Sequence, residues 1–313
     1  MPIVEHDPWR KQYFEEVSCP DDVFVSTDDT DSYRLYPAHR WIYNKLLIAE
    51  TQGLHCAPHG ILPESYPVFS KPIYNLRGMG METRIFRDEA TYLAERDPGH
   101  MWVELCEGEH LSSDIAVVNG EAVWWRHVFG KPGPHQTFDY WTVLAEGRPE
   151  VEKRCGAWIA KHFADYTGMM NLETIGGKII EGHLRFADQW PDLYGKGWLD
   201  ALVKLHVDGT WGYADDDRRD GFSVVLFATH QARHRHPARE LVDGILAGDA
   251  ISSVQITFHE DKPPEHHAMP PGGFRVAIVN AWDLEAGKAA RERLAEHFWS
   301  TREIRPRRRR RSA

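Results

Sequence analysis

The stretch Asn171–Arg185, NLETIGGKIIEGHLR, constrains the fold of this chain more than any other. Two short runs of apolar and polar residues flank Gly176-Gly177, a β-hairpin signature. Side chains alternate along a strand, so Glu181, His183 and Arg185 share one face. What joins that face from the other strand depends on the loop. A three-residue loop, Gly176-Gly177-Lys178, sets Glu173 opposite Glu181 and Asn171 opposite His183. A two-residue loop sets Leu172 opposite Glu181 instead. In the first register two carboxylates stand side by side and repel unless a cation sits between them. An arginine one step further can meet an anion held by that cation. The face is therefore expected to hold a divalent metal, through Glu173, Glu181 and His183, and a phosphate. The plain alternative is a solvated polar face on an ordinary hairpin.

The rest of the chain decides between the two. Its 313 residues allow a large core and more than one domain. Hydrophobic residues make up 42% and charged residues 27%, as in a soluble globular protein. A formal net charge of −10 gives the body no general affinity for nucleic acid. No apolar run reaches the length of a membrane span. The first residues, MPIVEHDPWRKQYFEE, contain no apolar signal-peptide core. Cysteines 19, 56, 106 and 155 form no CxxC pair and read as reduced thiols of a cytoplasmic protein. The end, RPRRRRRSA, reads as a disordered tail, with weak attachment to RNA, DNA or another polyanion as its alternative use.

In chain order, 22–26 reads as a strand, and Asp28, Asp29 and Asp31 read as a solvated acidic loop. A helix is expected from Pro37 to Gln52, ended by Gly53, with Lys45 projecting from it. Pro67–Ser70 reads as a strand closed by Lys71-Pro72, then a loop over 75–80 with Gly78 and Gly80. Glycines let backbone N–H groups approach phosphate oxygens, and a lysine at the strand end adds a point charge. No GK[ST] follows, so this is not a Walker loop. A helix over 87–96 precedes a strand, MWVELC. A second hairpin pairs 114–118 with 121–128 around Asn119-Gly120, and 130–135 reads as a loop. A strand at 140–144 and a helix at 149–166 lead into the metal-face hairpin, with a further helix over 187–206. The run DDDRRD, 215–220, reads as a charged linker. Beyond it, strands at 222–229, 254–258 and 274–279 and helices at 238–246 and 284–298 form a small α+β unit.

With Lys71 and the hairpin in place, the order of parts resembles the ATP-grasp superfamily of ADP-forming carboxylate–amine ligases. The match runs from about Lys45 to Leu205 and is most like the branch with biotin carboxylase and the purine-pathway ligases. The resemblance implies an α+β fold in which two subdomains clamp ATP. Residues 1–44 are then a reduced N-terminal region and 45–100 the small subdomain with the glycine loop. Residues 101–212 carry the hinge strand and metal site, 221–300 form a small C-terminal domain, and 301–313 are the tail. It also implies roles. Lys45 and Lys71 reach ATP, and Arg77, Gly78 and Gly80 belong to the loop covering its phosphates. The backbone of Met101 to Glu104 reads adenine, and Glu109 or His110 meets the ribose. Glu173 and Glu181 bridge the metal, Mg2+ or Mn2+, and Arg185 lies near the transferred phosphate. There are three departures: a short N-terminal region, a short metal hairpin, and His183 where the family has Asn.

The function so implied is ATP-dependent activation of a small carboxylate as an acyl phosphate and its joining to an amine, with release of ADP and phosphate. Phosphoryl transfer without ligation, or a non-catalytic nucleotide-binding scaffold, are the alternatives. Arg126, His127, Lys131 and His135 are expected to contact substrate from the loop after the second hairpin. A rival zinc site is offered by His234, His236, His259, Glu260, His266 and His267, whose spacing matches no standard set.

Overall fold

A computed structural model describes residues 3–74, 80, 82–134, 137–267 and 273–304. The chain forms two compact units, 1–130 with 143–220, and 131–142 with 221–313.

The first unit opens with β1 (Ile3–Val4), α1 (Pro8–Lys11) and β2 (Val25–Ser26), the two strands pairing in parallel. The acidic cluster is not the loop expected of it. Asp28 caps α2 (Asp29–Leu35), its carboxylate accepting the Asp31 N–H at 2.8 Å. The helix expected over 37–52 is two pieces, a 3-10 turn at Arg40–Tyr43 and α3 (Lys45–Thr51). Asn44 makes the break, because its Oδ1 caps α3 by accepting the N–H groups of Leu46 and Leu47 at 3.0 and 3.1 Å.

A four-stranded antiparallel sheet follows: β3 (Cys56–Pro58), β4 (Val68–Pro72), β5 (Arg84–Phe86) and β6 (His100–Glu104), in the order β3-β6-β4-β5. Helix α4 (Glu89–Glu95), capped by Asp88, joins β5 to β6. Period-two alternation along β6 divides its side chains. Trp102 packs with Val68, Phe86 and Tyr92, whereas Met101 and Val103 pack with Ala49 of α3.

Next come β7 (His110–Val118) and β8 (Glu121–Pro132), joined at Asn119-Gly120 with φ of 48° and 77°, the expected type I′ turn. Strand β8 runs on through 130–132, where a loop was expected. Strand β9 (Phe138–Val143) lies almost wholly in the second unit. Helix α5 (Pro149–His162) leads into β10 (Gly168–Ile175) and β11 (Lys178–His183). The first unit's larger sheet is ordered β11-β10-β7-β8. On one face Cys155, Trp158 and Ile159 of α5 pack with Ile115, Val117, Met170, Leu172 and Ile179. Truncating one of these leucines or isoleucines to alanine costs about 2–5 kcal/mol, so the sheet behind the hairpin is rigid. The helix expected over 187–206 starts late. A 3-10 turn occupies Pro191–Tyr194, and Gly195 and Gly197 at positive φ precede α6 (Trp198–Asp208).

In the second unit β9, β12 (Gly221–Ala228), β15 (Phe274–Ala281) and β14 (Ile251–Ile256) pair in that order. The short strands β13 (Ala232–Arg233) and β16 (Glu303–Ile304) pair separately. Helices α7 (Arg239–Leu246) and α8 (Leu284–Thr301) cover the sheet, burying Ile245, Leu294 and Phe298 against Val254, Val276 and Val279. Among the described residues, no helix is long and apolar enough to cross a membrane.

Candidate active site

The hairpin β10–β11 has the expected pairs by an unexpected route. Its loop is two residues, since Ile175 faces Lys178 across Gly176-Gly177, both at the positive φ of a type I′ turn. That loop alone would set Leu172 opposite Glu181. A β-bulge between Glu173 and Thr174 on the ladder leaves Ile180 without a partner and shifts the register by one. Glu173 therefore faces Glu181, and Asn171 faces His183. Gly176 is required twice over: its φ is 56°, and a Cβ there would lie 2.1 Å from the Glu107 carbonyl oxygen.

The bulge and the edge of β11 also place the two lysines. Gln52 closes part of that edge as another strand would, giving Nε2–H to the Ile179 carbonyl at 2.7 Å and accepting the Ile179 N–H at 2.8 Å. Lys71, buried on β4, gives a hydrogen bond of 2.7 Å to the carbonyl of the bulged Ile180. Lys45 is not the surface residue its position on a helix suggested. It is buried at the start of α3 and its Nζ sits 2.8 Å from Glu181 Oε2. Burial, with the Lys45 ammonium next, pulls the Lys71 amine down to about 8.

Glu173 is held from the other side by His110, whose Nε2 lies 3.4 Å from Glu173 Oε2. Burial pushes the Glu173 carboxyl up, but the His110 hydrogen bond and the His183 and Lys45 charges outweigh it and hold the group low. One ligand atom each from Glu173, Glu181 and His183 lie within 4.8 Å of one another. A divalent ion about 2.1–2.5 Å from each donor spans such gaps, so the three residues fit one. Asn171 does not join them. Its amide is buried and donates to Asp114 Oδ1 at 2.7 Å and to Ser112 Oγ at 2.9 Å. The other such group among the described residues, His6, Asp28 and Asp31, is an outer cluster in which His6 pairs with Asp31 at 2.7 Å.

Behind His183 stands Asp29, which sequence reasoning assigned to a solvated turn. It is buried, and its Oδ1 accepts from His183 Nδ1 at 2.9 Å and from Arg185 Nε at 3.0 Å. Its Oδ2 accepts Arg185 Nη2 at 3.0 Å. Burial would raise the Asp29 carboxyl, but Arg185 and then His183 hold it far below the usual range. Arg185 Nη1 also binds the Phe186 carbonyl at 3.1 Å, and Nη2 lies 3.5 Å from His183 Nδ1. Asp114, fully buried, accepts the Ala187 N–H at 2.9 Å and the Tyr194 hydroxyl, fixing the segment that carries Arg185. No spacing rule links Asp29 to residues more than 150 positions on; the acidic cluster of Asp28, Asp29 and Asp31 at the start of α2 was the sole local signal.

Of the other expected positions, Glu104 ends β6 and binds Lys178 and the His55 N–H, so β6 is tied to the β10–β11 hairpin. Glu109 pairs with Arg148 at 3.2 Å, away from His110. Gly80 has φ of 57°, while Arg77 and Gly78 lie outside the described residues. The expected substrate contacts Arg126 and His127 are not on a loop. Both are buried on β8, Arg126 paired with Asp215 at 3.1 Å and His127 held by Glu152 at 2.9 Å and Ser113 at 2.8 Å. An interior arginine and a buried imidazole, whose pKa burial pushes down, each have matched partners and hold structure, and Asp215 of the supposed linker is one of those partners. Lys131 lies near the end of β8, in the second unit, and His135 and the tail from 305 lie outside the described residues. The histidine-rich segments bring no third ligand together among the described residues. His234 packs against Phe274 and Phe298, His267 stacks on Phe274 at 4.9 Å, and His236 bonds the Phe258 carbonyl.

No protein-family model and no curated protein matches this sequence. Solved structures do. An L-amino acid ligase from Bacillus licheniformis superposes with a TM-score of 0.59 at 12% identity, over 96% of this chain and 84% of that one. A phosphoribosylamine–glycine ligase from Thermotoga maritima gives 0.58 at 13%, over 92% and 85%. A carboxyaminoimidazole ribonucleotide synthase from Aspergillus clavatus, solved with ATP, gives 0.58 at 12%, over 90% and 82%.

Proposed function

We propose, from the ATP-grasp fold that this chain shares with those three enzymes, that it activates a small carboxylate with ATP and joins it to an amine. The observation that carries the reading is the convergence of Lys45, Lys71, Glu173 and Glu181 on one face of a single hairpin. Two buried lysines beside two facing carboxylates suit a polyphosphate with its counter-ion and little else. The similar structures support it: two are ligases, one of amino acids, and a third was solved with ATP.

In this reading the adenine lies along the backbone of β6, near Glu104, and the phosphates lie over Lys71 and Lys45. Glu173 and Glu181 would hold Mg2+ or Mn2+, which supplies charge neutralisation across the phosphate oxygens. A substrate carboxylate oxygen attacks the terminal phosphorus, the bond to the bridging oxygen breaks, and ADP leaves with that electron pair. The amine nitrogen then attacks the acyl carbon, phosphate leaves, and the amine loses a proton. A carboxylate alone is a poor electrophile, so the acyl phosphate is what makes the second step possible. Catalysis by the protein is positioning and charge balance. Arg185, held in place by Asp29, carries the positive charge that would meet the transferring phosphoryl group.

The test is ADP release over paired libraries of carboxylates and amines. Release that needs both partners and yields an amide supports ligation. Release with the acid alone, and no effect of any amine, would leave phosphoryl transfer as the activity. Absence of ATP binding by calorimetry would end the reading.

A further inference from the structure

His183 presents two different edges. Nδ1 lies 2.9 Å from Asp29 Oδ1, while Nε2 lies 3.8 Å from Glu181 Oε1, too far for a hydrogen bond. Asp29 also takes the Arg185 fork, two N–H groups on two oxygens, so it acts purely as an acceptor. Arg185 Nη2 also lies 3.5 Å from Nδ1, but Asp29 Oδ1 is nearer, and an acceptor at 2.9 Å places the ring proton on Nδ1, so that the lone pair of the neutral ring sits on Nε2. Nε2 is the edge that lies near Glu181, and one ring nitrogen of His183 is within 4.8 Å of ligand atoms of both Glu173 and Glu181. The imidazole is more than nine-tenths buried and edged by Tyr43, so it has little room to turn away. Carboxylate, histidine and ion in a row is how proteins orient a nitrogen ligand and raise its basicity.

We propose that Asp29 and His183 work as one unit that turns the ion site on this hairpin into a mixed nitrogen–oxygen site, selecting a transition ion that accepts an imidazole more readily, such as cobalt or manganese, over magnesium. His183 is the ligand and Asp29 its positioning residue. Magnesium prefers oxygen donors and gives up water reluctantly, so an imidazole favours its later-row competitors. The proposal rests on the reading of this face as an ion site. It adds that the site's selectivity comes from a residue of the N-terminal segment that touches neither nucleotide nor ion.

The probe is Mn2+ alone, added to the full-length protein. Pulsed electron paramagnetic resonance reads nitrogen coupled to the bound ion, and calorimetry reads Mn2+ and Mg2+ affinities separately. Wild type should show a nitrogen coupling that His183→Asn abolishes while the ion still binds through Glu173 and Glu181. Asp29→Asn should weaken Mn2+ by about 10–100-fold and leave Mg2+ nearly unchanged; simple loss of structure would weaken both alike. His183→Asn, which keeps the Asp29–Arg185 pair, covers the case in which Asp29→Asn does not fold. Bound Mn2+ without nitrogen coupling overturns the proposal, as does an Asp29→Asn protein whose Mn2+ to Mg2+ ratio equals that of wild type. ATP binding measured on the same samples separates the two ideas. If ATP binds and the coupling is absent, the inference alone fails; if wild type binds no ATP, the ligase reading fails.

Discussion

Lys71 combines a buried amine with a carbonyl partner and a like-charged neighbour. Replacing it with alanine removes a cation but leaves the Ile180 carbonyl on an edge strand, so the fold should survive. Lys71→Ala should weaken ATP by at least about tenfold, since hydrogen bonds between ions are worth about 1.5–3 kcal/mol; unchanged affinity by calorimetry would remove Lys71 from the site. Its low pKa adds a pH test. Below about 8 the amine is charged, and above it the charge is lost. ATP affinity should therefore fall as pH rises through 8, at most about tenfold per unit. In buffers of different ionisation enthalpy, binding above pH 8 should take up a proton. Stability runs the other way. The folded state gives up this proton below the lysine's unfolded value, so between about 8 and the usual lysine range this group makes the fold more stable as pH rises. At this scale sequence reasoning set Glu173 opposite Glu181 and Asn171 opposite His183, as the ladder has them, because alternation is local. It missed that Lys45 is buried and that Asp29 anchors His183, because both depend on contacts between distant segments. It also misplaced Arg126 and His127, whose partners Asp215 and Glu152 carry no local mark.

At the scale of elements, most strands and helices were legible from periodicity and turn residues, and boundaries failed where a side chain intervened. Asn44 cut one expected helix in two, and Gly195 and Gly197 delayed another. The hairpin was read with the right pairs and the wrong loop, since a two-residue turn with a bulge and a three-residue turn without one give the same register. The turn makes its own prediction. Gly176 and Gly177 both have positive φ, but only Gly176 meets backbone, the Glu107 carbonyl oxygen at 2.1 Å from a built Cβ. At Gly177 the nearest atom is the flexible tip of Arg154 at 3.5 Å. Gly177→Ala should cost about 1–2 kcal/mol, the strain of a left-handed residue, and Gly176→Ala distinctly more. Thermal melts should show Gly176→Ala with the larger drop. Equal drops would mean that the segment around Glu107 yields freely.

Across the whole molecule, the second unit is built from two separated stretches of chain, 131–142 and 221–313. Its sheet needs β9 on one side of β12 and β15 on the other. A fragment beginning at Gly221 lacks β9 and leaves β12 as a bare edge, which is prone to associate with other strands. That fragment should melt without a sharp transition and aggregate. A version with 131–142 joined back through a short linker should melt cooperatively, and equal behaviour of the two would show that β9 is dispensable. A boundary at the DDDRRD run was visible in composition, but the borrowed strand was not, because no local signal says which unit a strand will join. The borrowed strand also bears on ancestry. A piece of protein that meets its neighbour at one junction can be gained or lost by one recombination event, whereas this unit meets its neighbour at three, 130/131, 142/143 and 220/221, two of them inside the coding stretch for that neighbour. It is therefore expected to travel through evolution only together with the hairpin that carries Glu173 and Glu181, never as an independent cassette.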